Sequence, residues 1–192
     1  MSAPVIFAYG AHGHDVAAIY WRVHTMDIVC YDDDPALEML PPASSYWLPC
    51  YVCTYNPRER ARMAEKQTLL GATPLIDPSA VVGDDCDIGR GGVIGPMSSL
   101  LTNVILGQHC HVGYHVGMTR CTIGAFSTIS PGAIICGDTT IGKEAFIGAG
   151  AVISNLVTIG DRCTVGAGAV VTPFTNVPDD ATVVGVPARI VS

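Results

Sequence analysis

An aliphatic residue recurs at every sixth position from Ile76 onward. All eleven positions of the series from Ile123 to Val183 are Ile or Val, and all eight of the series from Ile76 to Met118 are aliphatic or Met. An α-helix repeats every 3.6 residues, so a sustained period of six excludes it. The period is typical of a parallel β-helix, in which each six forms a short strand and a corner and three sixes form a triangular coil. The sequence therefore predicts about six coils over residues 76–187.

Residues two positions before each of these repeat residues are small or modest in size, which predicts that they also point into the prism. Several of the eight cysteines fall on this position, where a thiol serves as a small hydrophobic group. Glycine often follows the repeat residue, where a corner needs unusual backbone angles. The cysteines expected inside are Cys86, Cys110, Cys121 and Cys163.

The two series are out of phase by one residue, and the slip lies between Met118 and Ile123. The surrounding stretch, GYHVGMTRCTIG, is also rich in polar and titratable side chains. We therefore expect the shortened repeat to lie at the functional site. The candidate catalytic residues are His115, Thr119 and Arg120.

The N-terminal part of the chain has a different pattern. Three short apolar runs (PVIFAYG, DIVCYDDDP and LPCYVCTY) predict strands, and HDVAAIYWRV predicts a helix between the first two. A second helix is expected from Asn56, which is a good N-cap, and Pro57, which suits the first turn. The sequence thus predicts a small Rossmann-like α/β domain over residues 1–73 and a β-helix domain over residues 74–192.

The net charge is −7 and no run of Lys or Arg exists, which argues against nucleic acid or an anionic membrane as a partner. The N-terminus shows no basic leader and no apolar stretch long enough to span a bilayer. We therefore expect a cytoplasmic protein whose cysteines are thiols. Cys50 and Cys53 form a lone CxxC without a second pair, so no zinc site is expected there.

The motifs together resemble a known family. YGAHGHDV, YDDDP, LIDPSAVVG, the hexapeptide repeats and the ending VVGVPARIV resemble the sialic-acid O-acetyltransferase type of sugar acyltransferase, which includes enzymes that N-acetylate nucleotide-linked amino sugars. The resemblance implies a homotrimeric left-handed β-helix that uses acetyl-CoA and no metal. It implies direct transfer of acetyl to the amine of a nucleotide-linked amino sugar in a ternary complex.

The resemblance places the nucleotide on the N-terminal domain, on a glycine turn and two aspartates. Backbone N–H groups of such a turn can bind a pyrophosphate, although Asp15 stands where the family has a glycine. A tight turn, helix capping or plain solvation would explain the same residues without a ligand. The substrate-binding candidates are Gly10, Ala11, Gly13, His14, Asp32 and Asp33.

For the coenzyme, the family places pantetheine in the groove between neighbouring prisms. Glycine–alanine corners would let this thin arm lie against backbone, and an arginine near the C-terminus would bind a coenzyme phosphate. Any tight β-helix corner also favours Gly and Ala. The cofactor-binding candidates are Gly148, Gly150, Ala151, Gly166, Gly168 and Arg189.

The family's catalytic base, a His in the pattern His-Asp/Glu-x-x-Ile-Gly, aligns with Thr119, and a second family His aligns with Thr128. Three readings stay open. His115 supplies the base instead; or a partly neutral amine attacks without a base, which favours N-acylation over O-acylation; or the protein binds or scaffolds without catalysis.

A rival reading concerns His109, His111 and His115. The repeat puts Cys110 inward, so His109 and His111 are expected to point outward on either side of it. Three imidazoles at a subunit interface could bind zinc, as in γ-class carbonic anhydrases. The spacing does not match that class, and ordinary hydrogen bonds at an interface explain His109 and His111 equally well.

Overall fold

The computed structural model describes residues 5–8, 29–31, 50–53, 56–66 and 73–192. From Leu75 onward the chain forms a parallel β-helix, as the repeat predicts, and it is left-handed, as the resemblance implies. Its strands build three sheets, named here face 1, face 2 and face 3, and corners 1–2, 2–3 and 3–1 join them.

Face 1 contains β4 (Leu75–Ile76), β7 (Val93–Ile94), β10 (His111–Val112), β13 (Thr128–Ile129), β16 (Phe146–Ile147), β19 (Thr164–Val165), β22 (Thr182–Val184) and β23 (Arg189–Ile190). Face 2 contains β5 (Val81–Val82), β8 (Ser99–Leu100), β11 (Gly117–Met118), β14 (Ile134–Ile135), β17 (Val152–Ile153) and β20 (Val170–Val171). Face 3 contains β6 (Asp87–Ile88), β9 (Val104–Leu106), β12 (Cys121–Ile123), β15 (Thr139–Ile141), β18 (Thr158–Ile159) and β21 (Asn176–Val177). Only β23 is antiparallel, to β22, among these strands.

The N-terminal part contains three parallel strands, β1 (Val5–Ala8), β2 (Val29–Tyr31) and β3 (Cys50–Cys53), in the order β2-β1-β3. Helix α1 (Pro57–Lys66) follows and lies beside β3. The Asn56 side chain accepts hydrogen bonds from the backbone N–H groups of Arg58 and Glu59, as expected of an N-cap. The helix expected between β1 and β2 lies outside the described residues, and the domain division at residue 73 stays a prediction.

The core of the prism is the stack of repeat residues. From Ile94 to Val183 each of them is at most 2% exposed. Each packs against its counterpart in the coils above and below, about 4.8 Å away. Burial of one such side chain is worth roughly 1.5–3 kcal/mol, so the repeat itself supplies the stability of this part of the chain.

The small inward residues occupy the places that the sequence predicts. Cys110, Cys121 and Cys163 are buried free thiols, and Cys86 near the first coil is partly buried. Burial raises the pKa of the Cys110 thiol to about 11 and that of Cys121 to about 12. These thiols are therefore protonated and unreactive at neutral pH.

The repeat is one residue shorter at corner 2–3. Val104 pairs with Cys121, 17 residues further on, whereas Cys121 pairs with Thr139, 18 further on. Only Thr119 and Arg120 connect β11 to β12, where the coil below uses three residues, 101–103. The coil from His109 to Phe126 is therefore one residue short, and we call it the short coil.

The three faces differ in their outward residues. The lower strands of face 1 have buried outward residues: Leu75, Val93, His111 and Thr128. Face 2 is mostly apolar and at least partly exposed: Val81, Ser99, Gly117, Ile134, Val152 and Val170. Face 3 is exposed and mostly polar: Asp87, Ile105, Thr122, Thr140, Thr158 and Asn176. Among the described residues, face 2 thus presents the largely apolar and at least partly exposed surface of the prism.

Candidate functional site

Each corner carries a column of residues with positive φ. Corner 2–3 has Asn103, Arg120, Asp138, Leu156 and Phe174; corner 3–1 has Gly91, His109, Phe126, Glu144, Arg162 and Asp180; corner 1–2 has Met97, His115, Gly132, Gly150, Gly168 and Gly185. Because twelve of these residues are not glycine, the corner conformation does not by itself require glycine. The run of glycines on corner 1–2 therefore needs another reason.

These glycines leave bare backbone on the surface. A Cβ atom added to Gly150 or Gly168 would meet no heavy atom within 4 Å, and one added to Gly132 would meet its nearest neighbour at 3.9 Å. We call these three residues the glycine strip. They lie in successive coils, so the strip is about 10 Å long between its outer members. It is a smooth, side-chain-free track along one edge of the prism.

The structure separates the predicted coenzyme residues into two groups. Gly150 and Gly168 lie on the glycine strip. Gly148 and Gly166 instead pack between coils, since an added Cβ would lie 2.5 Å from the Ala167 nitrogen and 2.8 Å from Val184 Cγ1, respectively. The Ala151 side chain is 0% exposed and points into the core. Of the five predicted glycine and alanine residues, only Gly150 and Gly168 therefore present open surface.

Gly132 belongs to the strip, but sequence reasoning missed it. The signal was present, because Gly132, Gly150 and Gly168 each follow a repeat residue by three positions. At the other two corners above the short coil this position holds a larger residue, such as Asp138 or Arg162.

Arg189 lies at the upper end of the prism, exposed on β23. The C-terminal segment closes the last coil there, since Val170 N–H donates to the Gly185 carbonyl at 3.0 Å and Ala188 N–H donates to the Val170 carbonyl at 2.8 Å. Arg189 Nη1 donates only to the adjacent Ala188 carbonyl among the hydrogen bonds of the described residues. Its charge is therefore available near the upper end of the strip.

His115 lies at the lower end of the glycine strip. It is exposed on corner 1–2, and Gly132 N–H donates to the carbonyl of the preceding residue, Tyr114, at 3.0 Å. The Tyr114 ring meets the imidazole edge-on at 5.8 Å between ring centroids. The strip thus runs from the C-terminal end of the prism down to an exposed imidazole.

Thr119 and Arg120 lie at corner 2–3, on the other side of face 2. Strand β11 separates them from His115, so within one chain the short coil does not bring the imidazole beside Thr119. Four residue steps along extended chain span about 13 Å, which is far beyond hydrogen-bond distance. The catalytic role of His115 stays a prediction.

The shortened corner is held by hydrogen bonds along the column. Arg120 N–H donates to the Thr102 carbonyl at 2.7 Å, and Asp138 N–H donates to the Arg120 carbonyl at 2.6 Å. The Arg120 guanidinium lies over Gly137 and pairs with the Asp138 carboxylate at 3.3 Å, with both groups about half exposed. An open cavity of about 410 Å³ adjoins this pair. A guanidinium stays protonated in proteins, so this corner holds no base of its own in Thr119 or Arg120.

His109 and His111 are buried, at 5% and 2% exposure, which corrects the expectation that both face outward at an interface. Their side chains leave the coil on its outer surface, but other parts of the same chain cover them. The His109 ring stacks on Phe126 at 5.4 Å, and burial, with smaller contributions from Arg60 and Arg90, lowers its pKa to about 4. It is therefore neutral at pH 7.

Within one chain the three imidazoles do not come together as a zinc site. The described residues contain no group of three or more His, Cys, Asp or Glu side chains arranged to hold a metal ion. His109 lies on corner 3–1 and His115 on corner 1–2, so face 1 separates them.

Sequence reasoning also missed Arg60. This arginine of α1 is 0% exposed and donates hydrogen bonds to the His109 and Phe126 carbonyls and to the Thr128 hydroxyl. Its position in an apparently surface-facing helix gave no sequence signal. The predicted nucleotide residues lie outside the described residues: Gly10, Ala11, Gly13, His14, Asp32 and Asp33.

Hexapeptide coils with a parallel α/β unit before them define a hexapeptide-repeat β-helix protein. No helix among the described residues has the length and apolar character needed to cross a membrane. The chain belongs to the family described as the GMPPB C-terminal domain, whose family model matches residues 61–180.

Similarity to individual proteins confirms the predicted family of nucleotide-sugar N-acetyltransferases. The acetyltransferase domain of PglB from Neisseria gonorrhoeae FA1090, solved with acetyl coenzyme A, has a TM-score of 0.87 and 29% identity over 99% of this chain and 100% of that one. PerB from Caulobacter crescentus, solved with CoA and GDP-perosamine, has a TM-score of 0.89 and 25% identity over 100% and 98%.

A curated relative gives a shorter match. GDP-perosamine N-acetyltransferase of Escherichia coli O157:H7 is 37% identical over 85 residues, which is 43% of this chain and 38% of that protein. The match therefore spans less than half the length of this relative.

The buried His109 makes stability depend on pH. Its pKa is about 4 in the folded chain and 6.5 ordinarily, so between these values only the unfolded chain binds the proton. The free energy of unfolding should fall as the pH drops from 6.5, by about 2 kcal/mol at pH 5. Urea denaturation at pH 7 and pH 5 should show this loss in the native chain and a smaller one in His109→Asn, since Asn tolerates positive φ. Equal losses in both proteins would contradict this origin.

Proposed function

We propose that this chain transfers acetyl from acetyl-CoA directly to the amine of a nucleotide-linked amino sugar. The observation that carries the proposal is the glycine strip that ends at an exposed imidazole. It lies on a fold shared over nearly the whole chain with an acetyltransferase solved with acetyl-CoA. The nucleotide sugar follows from PerB, which was solved with CoA and GDP-perosamine.

The coenzyme would lie with its pantetheine arm along Gly168, Gly150 and Gly132. A side chain on this track would keep the thin arm off the backbone. Arg189 at the upper end would pair with a phosphate, because a guanidinium binds phosphate oxygens well. The thioester would then arrive at the lower end of the strip, at the level of His115.

The reaction would proceed without an acyl-enzyme. Burial raises the pKa values of the Cys110 and Cys121 thiols, so neither is a nucleophile near neutral pH. The amine nitrogen forms a bond to the thioester carbon, the carbon–sulfur bond breaks, and a proton of the amine passes to the His115 imidazole. The departing coenzyme thiolate then takes a proton and leaves as the free thiol. An amine suits this site better than a hydroxyl, which needs a stronger base.

The proposal includes a homotrimer in the cytoplasm. Face 2 offers exposed apolar residues, such as Val81 at 58% and Ile134 at 41% exposure, next to corner 1–2. A neighbouring prism on this face would turn the open glycine strip into a groove between subunits. Corner 2–3 of that neighbour, with its Thr119 and Arg120, could then border the same groove.

The assembly can be tested with two matched variants. Light scattering should give a trimer mass for the native chain and a smaller mass for Ile134→Asp, because a carboxylate would be buried without a partner in the interface. Thr140→Asp, on exposed face 3, should stay trimeric. A monomeric native chain, or a trimer that survives Ile134→Asp but not Thr140→Asp, would contradict the use of face 2.

The activity and the coenzyme track can be tested together. Thiol release from acetyl-CoA should depend on a nucleotide amino sugar, and Gly150→Asn should raise the KM for acetyl-CoA about tenfold, because its side chain would hold the pantetheine arm off the backbone; a loss of about 1.4 kcal/mol of binding free energy is tenfold. Glu144→Asn, a positive-φ residue on corner 3–1 and away from the proposed groove, controls for backbone effects and should leave this KM unchanged. No thiol release across a broad panel of acceptors, with nucleotide binding intact, would favour a binding or scaffold protein.

The role of His115 can be tested separately. If its imidazole takes the proton, His115→Ala should lower kcat on the order of 10² and leave the KM for acetyl-CoA nearly unchanged. Met97→Ala, one coil below on the same corner, is the control. A loss of kcat below about tenfold would instead indicate that positioning of a neutral amine suffices.

A further inference from the structure

We propose that Arg60 is a positioning residue for this transfer: it holds the N-terminal unit on the short coil. The inference rests on the proposed function, with the reaction site on the short coil, and on the expectation from the resemblance that the N-terminal domain holds the nucleotide. The geometry that points to it is a single guanidinium bound to both ends of the short coil.

The contacts of Arg60 are specific and buried. Its Nε donates to the His109 carbonyl at 2.9 Å, and its Nη2 donates to the Thr128 hydroxyl at 2.8 Å and to the Phe126 carbonyl. The residue is 0% exposed. These bonds join helix α1 to parts of the chain 49 to 68 residues away.

The two carbonyls mark the ends of the short coil. His109 and Phe126 are successive positive-φ residues of corner 3–1, and the 17 residues from one to the other make one turn of the prism. His115, Thr119 and Arg120 all lie within that turn. Arg60 therefore clamps the one coil of the prism whose length differs from its neighbours.

A buried guanidinium is an expensive way to attach a helix. Removing a charge from water costs several kcal/mol, and an apolar side chain of similar size often packs there more stably. The guanidinium makes the attachment directional, because its planar set of N–H donors fits only one arrangement of acceptors. Arg60 thus fixes where α1 sits on the prism, in addition to attaching it.

Arg58, on the same helix, shows the contrast. Its side chain is 61% exposed and pairs with Asp180 at 3.3 Å, and Asp180 is itself 54% exposed. An exposed pair of this kind contributes little. Arg58 is therefore a matched control for Arg60: the same residue type, two positions away, at the surface.

Thr128 supplies the side-chain acceptor in this arrangement. It occupies the position that aligns with a second histidine of the resembling family, but here it is 0% exposed and accepts a hydrogen bond from Arg60. In this chain position 128 serves the attachment of α1.

The link to the reaction is geometric. Helix α1 lies beside β3 of the N-terminal sheet, so a shift of α1 moves that sheet relative to the short coil. A displacement of about 1 Å between reacting groups can cost about 10² in rate. The acetyl-CoA track on corner 1–2 does not contact Arg60, so its affinity should not depend on this clamp.

The test compares Arg60→Met with Arg58→Met. Arg60→Met should lower kcat/KM for the nucleotide amino sugar by about 10- to 100-fold, while the Kd for acetyl-CoA, measured by calorimetry, stays within about twofold. Arg58→Met should change neither value. Because a shifted acceptor reacts slowly even when bound, most of the Arg60→Met loss should appear in kcat.

A second pair of variants keeps the test decisive if Arg60→Met does not fold. Thr128→Val removes one acceptor and should lower kcat/KM several-fold, while Thr128→Ser keeps the hydroxyl and should restore it. Folded Arg60→Met or Thr128→Val with native kcat/KM would overturn the proposal.

Hydrogen exchange separates this inference from the proposed activity. Amides of residues 57–66 should exchange faster in Arg60→Met than in the native chain or Arg58→Met, whether or not the protein turns over. Unchanged exchange would show that Arg60 does not anchor α1. Exchange could be faster in Arg60→Met while the native chain acetylates no acceptor. That result would reject both the proposed function and the positioning role, and Arg60 would then only anchor α1.

Discussion

The whole prism depends on the stacking of inward side chains at intervals of one coil. Each repeat residue is buried only because the same position in the coils above and below is also apolar. From Ile94 to Val183 no such residue is more than 2% exposed. The stack holds the strands in phase, and this leaves the corners and outward positions free to carry other chemistry.

This freedom is used differently on each edge of the prism. Corner 2–3 carries the Arg120–Asp138 pair in its middle and the exposed side chains of Leu156 and Phe174 above it. Corner 1–2 carries three bare glycines above an imidazole, and the lower part of corner 3–1 receives α1 through Arg60. One backbone geometry thus presents an ion pair, a bare glycine strip and an attachment point for α1, and only the side chains differ.

The repeat made the fold predictable, since a strict period of six leaves few alternatives. It also located the slip between Met118 and Ile123, which the strand pairing confirms. The functional site was harder to predict from the sequence. Gly148 and Gly166 follow a repeat residue by one position and pack between coils, whereas Gly150 and Gly168 follow it by three; the sequence separates the two positions, but only the coordinates show which one is open. His109 was expected outside because the repeat describes one coil at a time and cannot show that another part of the chain covers it. Arg60 could not be found at all, because its acceptors are mainly carbonyl groups, which the sequence does not distinguish.

The place where the residue is lost also has a consequence for how this architecture tolerates changes in length. The deletion falls between β11 and β12, outside any strand, so Cys121 and Ile123 still point inward and the core on both sides stays intact. An insertion or deletion of one residue within a strand would instead turn every following side chain of that strand to the opposite surface. Corners are therefore the points where a β-helix can gain or lose chain without repacking, and relatives of this protein should differ in length at corners far more often than along the strands.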